Sequence, residues 1–251
     1  MLGYPEIVVQ RGTILMTEPL KKQGIFIAIE GIDGAGKDTQ SRLLEEALRL
    51  RAISCVRIDF PQYEQNLGGK LLKECLSGKR GDFVHLDSRL ASLPYAIDRL
   101  ESSGMIRTAL LDGQAVIADR FTGSNQIHQG GKFDDEEDRI AFLEWLDELE
   151  HGLLMNPRPD AVIYLKAPVE VSLSLLAQKR AAKNAHLEDG ELDQVEKDRQ
   201  YLDQSHAMAQ WLAARESNWH VIDCVDSEGA VRTREDIHAD VLRALEGLLK
   251  H

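Results

Sequence analysis

Ten consecutive residues, Gly31-Ile32-Asp33-Gly34-Ala35-Gly36-Lys37-Asp38-Thr39-Gln40, have the types and the spacing to hold phosphate. Glycines let backbone N–H groups converge on phosphate oxygens, and a helix starting there adds the positive end of its dipole. Lys37 would set a point charge against the outer phosphates of a nucleoside triphosphate. A ligand-free turn is the plain alternative for any glycine-rich stretch, but this one has the complete glycine–lysine spacing. The next position departs from the usual pattern. Where a Ser or Thr hydroxyl commonly binds Mg²⁺, Asp38 stands, with Thr39 one place later. A carboxylate can bind Mg²⁺ as a hard oxygen ligand, and it is equally at home in the first turn of a helix.

Three further groupings carry chemistry. Val116-Ile117-Ala118-Asp119-Arg120 is an apolar run ending in a carboxylate and a guanidinium. Asp119 could hold Mg²⁺ or orient the attacking group, and Arg120 could grip a phosphate in bidentate fashion; a surface ion pair beyond a strand is the alternative. In Leu93-Pro94-Tyr95-Ala96-Ile97-Asp98-Arg99, Tyr95 and Arg99 are four apart and share one helical face. There an aromatic ring could stack a base beside a phosphate-binding arginine; a core tyrosine and a solvated arginine are the plain reading. Phe60-Pro61-Gln62-Tyr63 ends a strand candidate with a turn, which taken alone is ordinary.

The elements that would position these groups follow a regular rhythm. Apolar strand candidates at 25–30, 54–60, 115–119, 161–165 and 220–223 alternate with helical patterns. The helical patterns cover 38–51, 67–76, 88–102, 134–149, 169–180, 192–215 and 233–249. Short apolar runs separated by helices imply a parallel sheet covered on both faces, with the loops after the strands gathered at one edge. The acidic run at 134–138 should open a helix, where carboxylates are favoured. Residues 1–23 hold two stretches of strand character, Ile7-Val8-Val9 and Thr13-Ile14-Leu15-Met16, ahead of a linker-like segment. An edge strand, an interface arm and a flexible extension all remain open for them.

With 251 residues the chain suits one large α/β domain. A formal charge of -12 argues against a general binder of nucleic acid or membrane surface, so positive charge for anionic substrates must be gathered locally. Cys55, Cys75 and Cys224 are scattered, lack metal-ligand spacing and read as reduced thiols of a cytosolic protein. No apolar run approaches membrane-spanning length, and residues 1–23 lack the layout of a secretion signal.

Together, Glu30 to Lys37, Phe60-Pro61, Tyr95 to Arg99, Asp119-Arg120 and Pro157-Arg158-Pro159-Asp160 resemble the thymidylate kinases. Ser124-Asn125-Gln126-Ile127-His128-Gln129-Gly130-Gly131 is similar to the polar segment around the thymine base in that family. The likeness runs from about residue 24 to the C-terminus and leaves out the N-terminal extension, 1–23. It implies a three-layer α/β/α P-loop fold with a five-stranded parallel sheet, a helical lid at about 179–191, and a cytoplasmic homodimer. The activity implied is transfer of the ATP γ-phosphoryl group to dTMP with Mg²⁺.

By the same resemblance, residues 31 and 33–39 (Gly31, Asp33, Gly34, Ala35, Gly36, Lys37, Asp38, Thr39) would bind ATP. Asp33 would also meet the deoxyribose 3′-hydroxyl, Phe60 would border the dTMP site, and Tyr95 would stack the base. Arg99 and Arg120 would hold the monophosphate, while Ser124, Asn125 and Gln129 would face the thymine. Asp119, with Asp38, would serve Mg²⁺. Lys179, Arg180 and Lys183 end a helical pattern ahead of residues 184–190 of the lid region, and Arg180 would clamp the transferred group. Three positions depart from the pattern: Asp38; Asp59-Phe60, where many relatives place an arginine before the proline turn; and Ala209, where a second aromatic is expected. A kinase for another nucleoside monophosphate and a nucleotide-binding protein without turnover remain the alternatives.

Overall fold

The computed structural model describes residues 7–10, 13–16, 24–184 and 198–249, with side chains for 24–178 and 198–249. Five strands form one parallel sheet: β3 (Phe26–Glu30), β4 (Cys55–Asp59), β5 (Ala115–Asp119), β6 (Ala161–Lys166) and β7 (Trp219–Asp223), in the order β4-β5-β3-β6-β7. A separate antiparallel hairpin, β1 (Ile7–Gln10) and β2 (Thr13–Met16), pairs Ile7 with Met16 and Gln10 with Thr13. The two N-terminal stretches therefore pair with each other and add no strand to the main sheet.

Alternation along the strands divides the core. Phe26, Ala28, Val116, Ala118, Val162 and Tyr164 face one side. They pack against α3 (Ser88–Leu111), α4 (Thr122–Gly130) and α7 (Arg199–Ala213). Ile27, Ile29, Ile117 and Ile163 face the other, against α1 (Lys37–Leu50) and α8 (Arg234–Leu245). The central strands are apolar on both faces because both are covered. In α1, Leu44 and Leu48 are fully buried, each stabilising the layer by roughly 1.5–3 kcal/mol. The remaining helices are α2 (Leu67–Leu76), α5 (Glu136–Asp147) and α6 (Val169–Asn184), with a π-helical turn, Glu148–Leu153, following α5.

The acidic run opens α5 as expected: Asp135 caps it, accepting from the backbone N–H groups of Glu137 (2.8 Å) and Asp138 (3.1 Å). Other boundaries differ from the sequence reading. α3 continues past Ser102 to Leu111, because Ser102 and Ser103 are buried and bonded instead of breaking the helix. Residues 122–130 are helical, although nothing in their periodicity announces it. Of the pattern at 192–215, residues 192–197 lie outside the described residues.

Candidate active site

Parallel pairing brings the C-terminal ends of the five strands to one edge, and β3 sends the chain there into the glycine loop. Gly34 has φ +88°, and a Cβ on it would stand 2.0 Å from the carbonyl oxygen of Ser172, so only glycine fits. α1 begins at Lys37, whose ammonium is buried under the loop and donates to the carbonyl oxygen of Ile32 at 2.9 Å. Burial brings its pKa down to about 8, with Arg120 pushing the same way and Asp33, Asp119 and Glu30 opposing. Thr39 is half-buried in the same first turn.

β5 lies beside β3 with Ile29 opposite Asp119, so Glu30 and Arg120 emerge as neighbours. Arg120 holds a left-handed backbone, φ +69°, a conformation that costs a non-glycine residue about 1–3 kcal/mol and concentrates at functional sites. Its guanidinium bonds Asp33 Oδ1 through Nη2 and approaches the Ser124 hydroxyl at 3.3 Å through Nη1. Burial opposes ionisation of Asp33, but Arg120 and Lys37 overcome it and hold the carboxyl well below the usual range. Burial pushes the carboxyl of Asp119 up, Lys37 and Arg120 pull it down, and Asp38 and Asp59 add to the rise.

Glu30 is fully buried and accepts from the backbone N–H of Phe121 at 2.7 Å and the hydroxyl of Ser124 at 2.6 Å. Gly123 is required beside it, since a Cβ there would lie 2.8 Å from Glu30 Oε1. Glu30 thus ties the start of α4 to the end of β3, a role the sequence reading did not assign. A carboxylate closing an otherwise buried apolar strand was the available signal.

α4 places Ser124, Asn125, His128 and Gln129 on one face through its three- and four-residue spacing. That face lines a cavity of about 220 Å³, into which Asp33 and Arg120 project from the loop side. Phe60, Tyr95 and Arg99 close it from β4 and α3, and Tyr201 closes it from α7. Asn125 Nδ2 donates to the carbonyl of Ser92 at 3.2 Å, and Gln129 Nε2 reaches the Tyr201 hydroxyl at 3.3 Å. The Oε1 of Gln129 is buried with no hydrogen-bond partner among the described residues. His128 stacks on Tyr201, with ring centroids 5.8 Å apart and planes within 8°. Burial, aided by Arg120, drives the His128 pKa down to about 3, so the ring is neutral. His128 supplies the aromatic partner of Tyr201, while Ala209 lies in the core.

Seven of the expected residues therefore line one cavity with Arg99: Asp33, Phe60, Tyr95, Arg120, Ser124, Asn125 and Gln129. The solvated-charge reading of Arg99 is excluded, because Arg99 is 2% exposed. Tyr95 packs 6.1 Å from Phe83 and also lines the cavity. Asp38 is partly exposed at the start of α1; its Oδ1 accepts from Arg42 Nε at 2.8 Å and lies 3.9 Å from Arg57. The backbone of Arg180 is in α6, but its side chain and those of Lys179 and Lys183 lie outside the described residues, as does the segment 185–191. A larger cavity of about 550 Å³, on the other side of α4, shares none of these residues.

Comparison with known proteins identifies the family. Residues 29–234 match the thymidylate kinase family. A thymidylate kinase of Mycobacterium tuberculosis is 30% identical over 192 residues, spanning 76% of this chain and 86% of the relative. A probable thymidylate kinase of Thermococcus onnurineus is 30% identical over 227 residues, spanning 88% and 97%. The solved structure of thymidylate kinase from Candida albicans superposes with a TM-score of 0.68 at 20% identity over 91% of this chain and 93% of its own, a likeness of fold. Matched by the family over residues 29–234 and by a relative 30% identical over 76% of its length, this chain belongs to the thymidylate kinase family.

Proposed function

We infer that this protein transfers the γ-phosphoryl group of ATP to dTMP, giving dTDP and ADP. The observation that carries the reading is the continuity of the two half-sites: Asp33 belongs to the phosphate loop, lines the nucleoside cavity and is bonded to Arg120 between them.

The phosphate loop, Gly31 to Thr39, would take the triphosphate, with Lys37 against its outer oxygens. Arg120 and Arg99 would hold the dTMP phosphate end, Tyr95 and Phe60 would flank the base, and Ser124, Asn125 and Gln129 would present polar groups to it. Asp33 would accept from the sugar hydroxyl. In-line transfer between two anions needs positioning and positive charge more than covalent help, and Lys37 and Arg120 supply both at the junction. A dianionic phosphate is nucleophilic enough that no side chain is needed as general base.

The donor set fits Mg²⁺. Asp119 is a buried carboxylate made harder to ionise by its surroundings, with Asp38 and Asp59 close enough to be felt. Among the described residues no three or more His, Cys, Asp or Glu side chains gather as a metal cage. Mg²⁺ suits such a site, taking one or two carboxylates and completing its shell with phosphates and water. Asp119 and Asp38 would hold it, and the ion would neutralise charge on the phosphates.

Arg180 is assigned to the transferred group from the lid side. Residues 24–251 form the kinase domain and 1–23 an appendage. A homodimer through α2 and α3 is supported by Leu67, Leu71, Leu90, Leu93 and Ile97, all more than a third exposed on adjoining helices. In the described residues no helix is long and apolar enough to cross a membrane, and all three cysteines are free thiols, which suits a cytoplasmic enzyme.

ADP formation from ATP and Mg²⁺, measured with dTMP, dUMP, dGMP, dCMP and dAMP in turn, tests the reading. Stimulation chiefly by dTMP is expected. Stimulation chiefly by another monophosphate would move the assignment to that base, and ATP binding without stimulation by any would overturn it.

A further inference from the structure

We propose that Glu150 is the positioning residue that aims Arg99 at the monophosphate substrate; this rests on the reading of Arg99 as a substrate contact. Glu150 is fully buried in the π-helical turn and takes the Nε side of the guanidinium: Nε lies 3.2 Å from both carboxylate oxygens, and Nη2 bonds Oε1. The carbonyl of Phe121 accepts from Nη1 at 3.2 Å. An arginine carries five N–H donors, so one N–H remains on each terminal nitrogen, in a planar group fixed on its other side. Arg99 lines the cavity, and that pair is the fork a phosphate or a base edge would meet.

The backbone around Glu150 is arranged to hold it. Asn156 donates through Nδ2 to Glu150 Oε2 at 2.7 Å, and its backbone N–H donates to the Glu150 carbonyl at 2.7 Å. The chain returns for this contact through Met155, a non-glycine residue at φ +52°, whose carbonyl Arg107 secures at 2.9 Å. A wider π turn and a left-handed residue are both unfavourable locally, and both tend to be kept where a site needs them. Stability is a weak reason for the pair, because a buried ion pair is often no better than the apolar side chains that could replace it. Orientation of a cavity-lining guanidinium is the stronger one.

The test is steady-state kinetics on the full chain, with dTMP varied at saturating MgATP and the reverse. Glu150→Gln keeps the shape but sets an amide N–H against a donor; the dTMP KM is expected to rise about tenfold, with kcat and the ATP KM within about threefold. Arg99→Ala should raise the same KM, and the double variant should be no worse than Arg99→Ala alone, since Glu150 acts through Arg99. A dTMP KM unmoved by Glu150→Gln while Arg99→Ala raises it overturns the proposal, as does a double variant showing the product of the two single effects. A KM unmoved by Arg99→Ala instead overturns the substrate contact itself. Should Glu150→Gln not fold, Asn156→Ala loosens the same carboxylate: a severalfold rise in dTMP KM is expected, and no change would dismiss the role.

Discussion

Arg120 donates through Nη2 to Asp33 Oδ1, and that same oxygen lies 3.9 Å from the Nζ of Lys37. One carboxylate thus stands between the two cations, at the junction of the proposed half-sites. Asp33→Asn keeps the shape and removes the charge. It should lower kcat/KM for both substrates by at least about tenfold, and destabilise the fold by about 1–3 kcal/mol as Arg120 loses its partner. Calorimetry beside kinetics checks both, and an unchanged melting temperature would mean that the pair carries no structural weight.

Lys37→Ala should cut turnover by orders of magnitude without unfolding the chain, as circular dichroism and ADP assays would show. The pH dependence follows from the lowered pKa. Folded Lys37 releases its proton at about pH 8, whereas the unfolded side chain keeps it to 10.5. Between those values the unfolded state binds more protons, so Lys37's contribution to stability rises with pH through that window. Activity runs the other way: kcat/KM for ATP, which reports the free enzyme, should fall above about pH 8.

His128 gives an acid limb of the same sign. Its folded pKa, about 3, lies below the ordinary 6.5, so the unfolded state binds more protons between them. Stability should therefore decline as pH falls from 6.5 toward 3. His128→Phe, which keeps the stack on Tyr201, should flatten that limb in urea titrations from pH 7 to 4; an unaltered limb would show that another group titrates there.

Asp38 is shared between Arg42 and Arg57 beside the glycine loop. Asp38→Thr restores the hydroxyl usual at this position. The Mg²⁺ concentration for half-maximal rate should shift about threefold or more, with stability changed by no more than about 1 kcal/mol because the pair is exposed. Superimposable metal titrations would remove Asp38 from the ion's surroundings.

Gln129 lines the cavity, and its side-chain carbonyl oxygen is buried with no hydrogen-bond partner among the described residues. A thymine ring N–H is a donor of the kind it lacks. Gln129→Leu should raise the dTMP KM about tenfold while leaving the melting temperature level or higher, because an unmet buried acceptor is removed. A lower melting temperature with unchanged KM would reverse that assignment.

The sequence by itself determined the frame and the glycine loop. β5 and α2 fall on the residues that the apolar pattern marks, and the glycine loop lies between strand and helix as its spacing requires. Those features are local: strand alternation, helical period and glycine chemistry act within a few residues. Tertiary structure decided the rest. α4 holds Thr122, Gly123, Ser124 and Asn125, poor helix formers without an apolar stripe; Glu30 fastens its start and the core buries Ile127. Glu150 meets Arg99 across 51 positions of sequence through a π turn that shifts the register of its helix. No local pattern encodes such a contact, because its partners are chosen only when the sheet edge, α3 and the turn after α5 pack together.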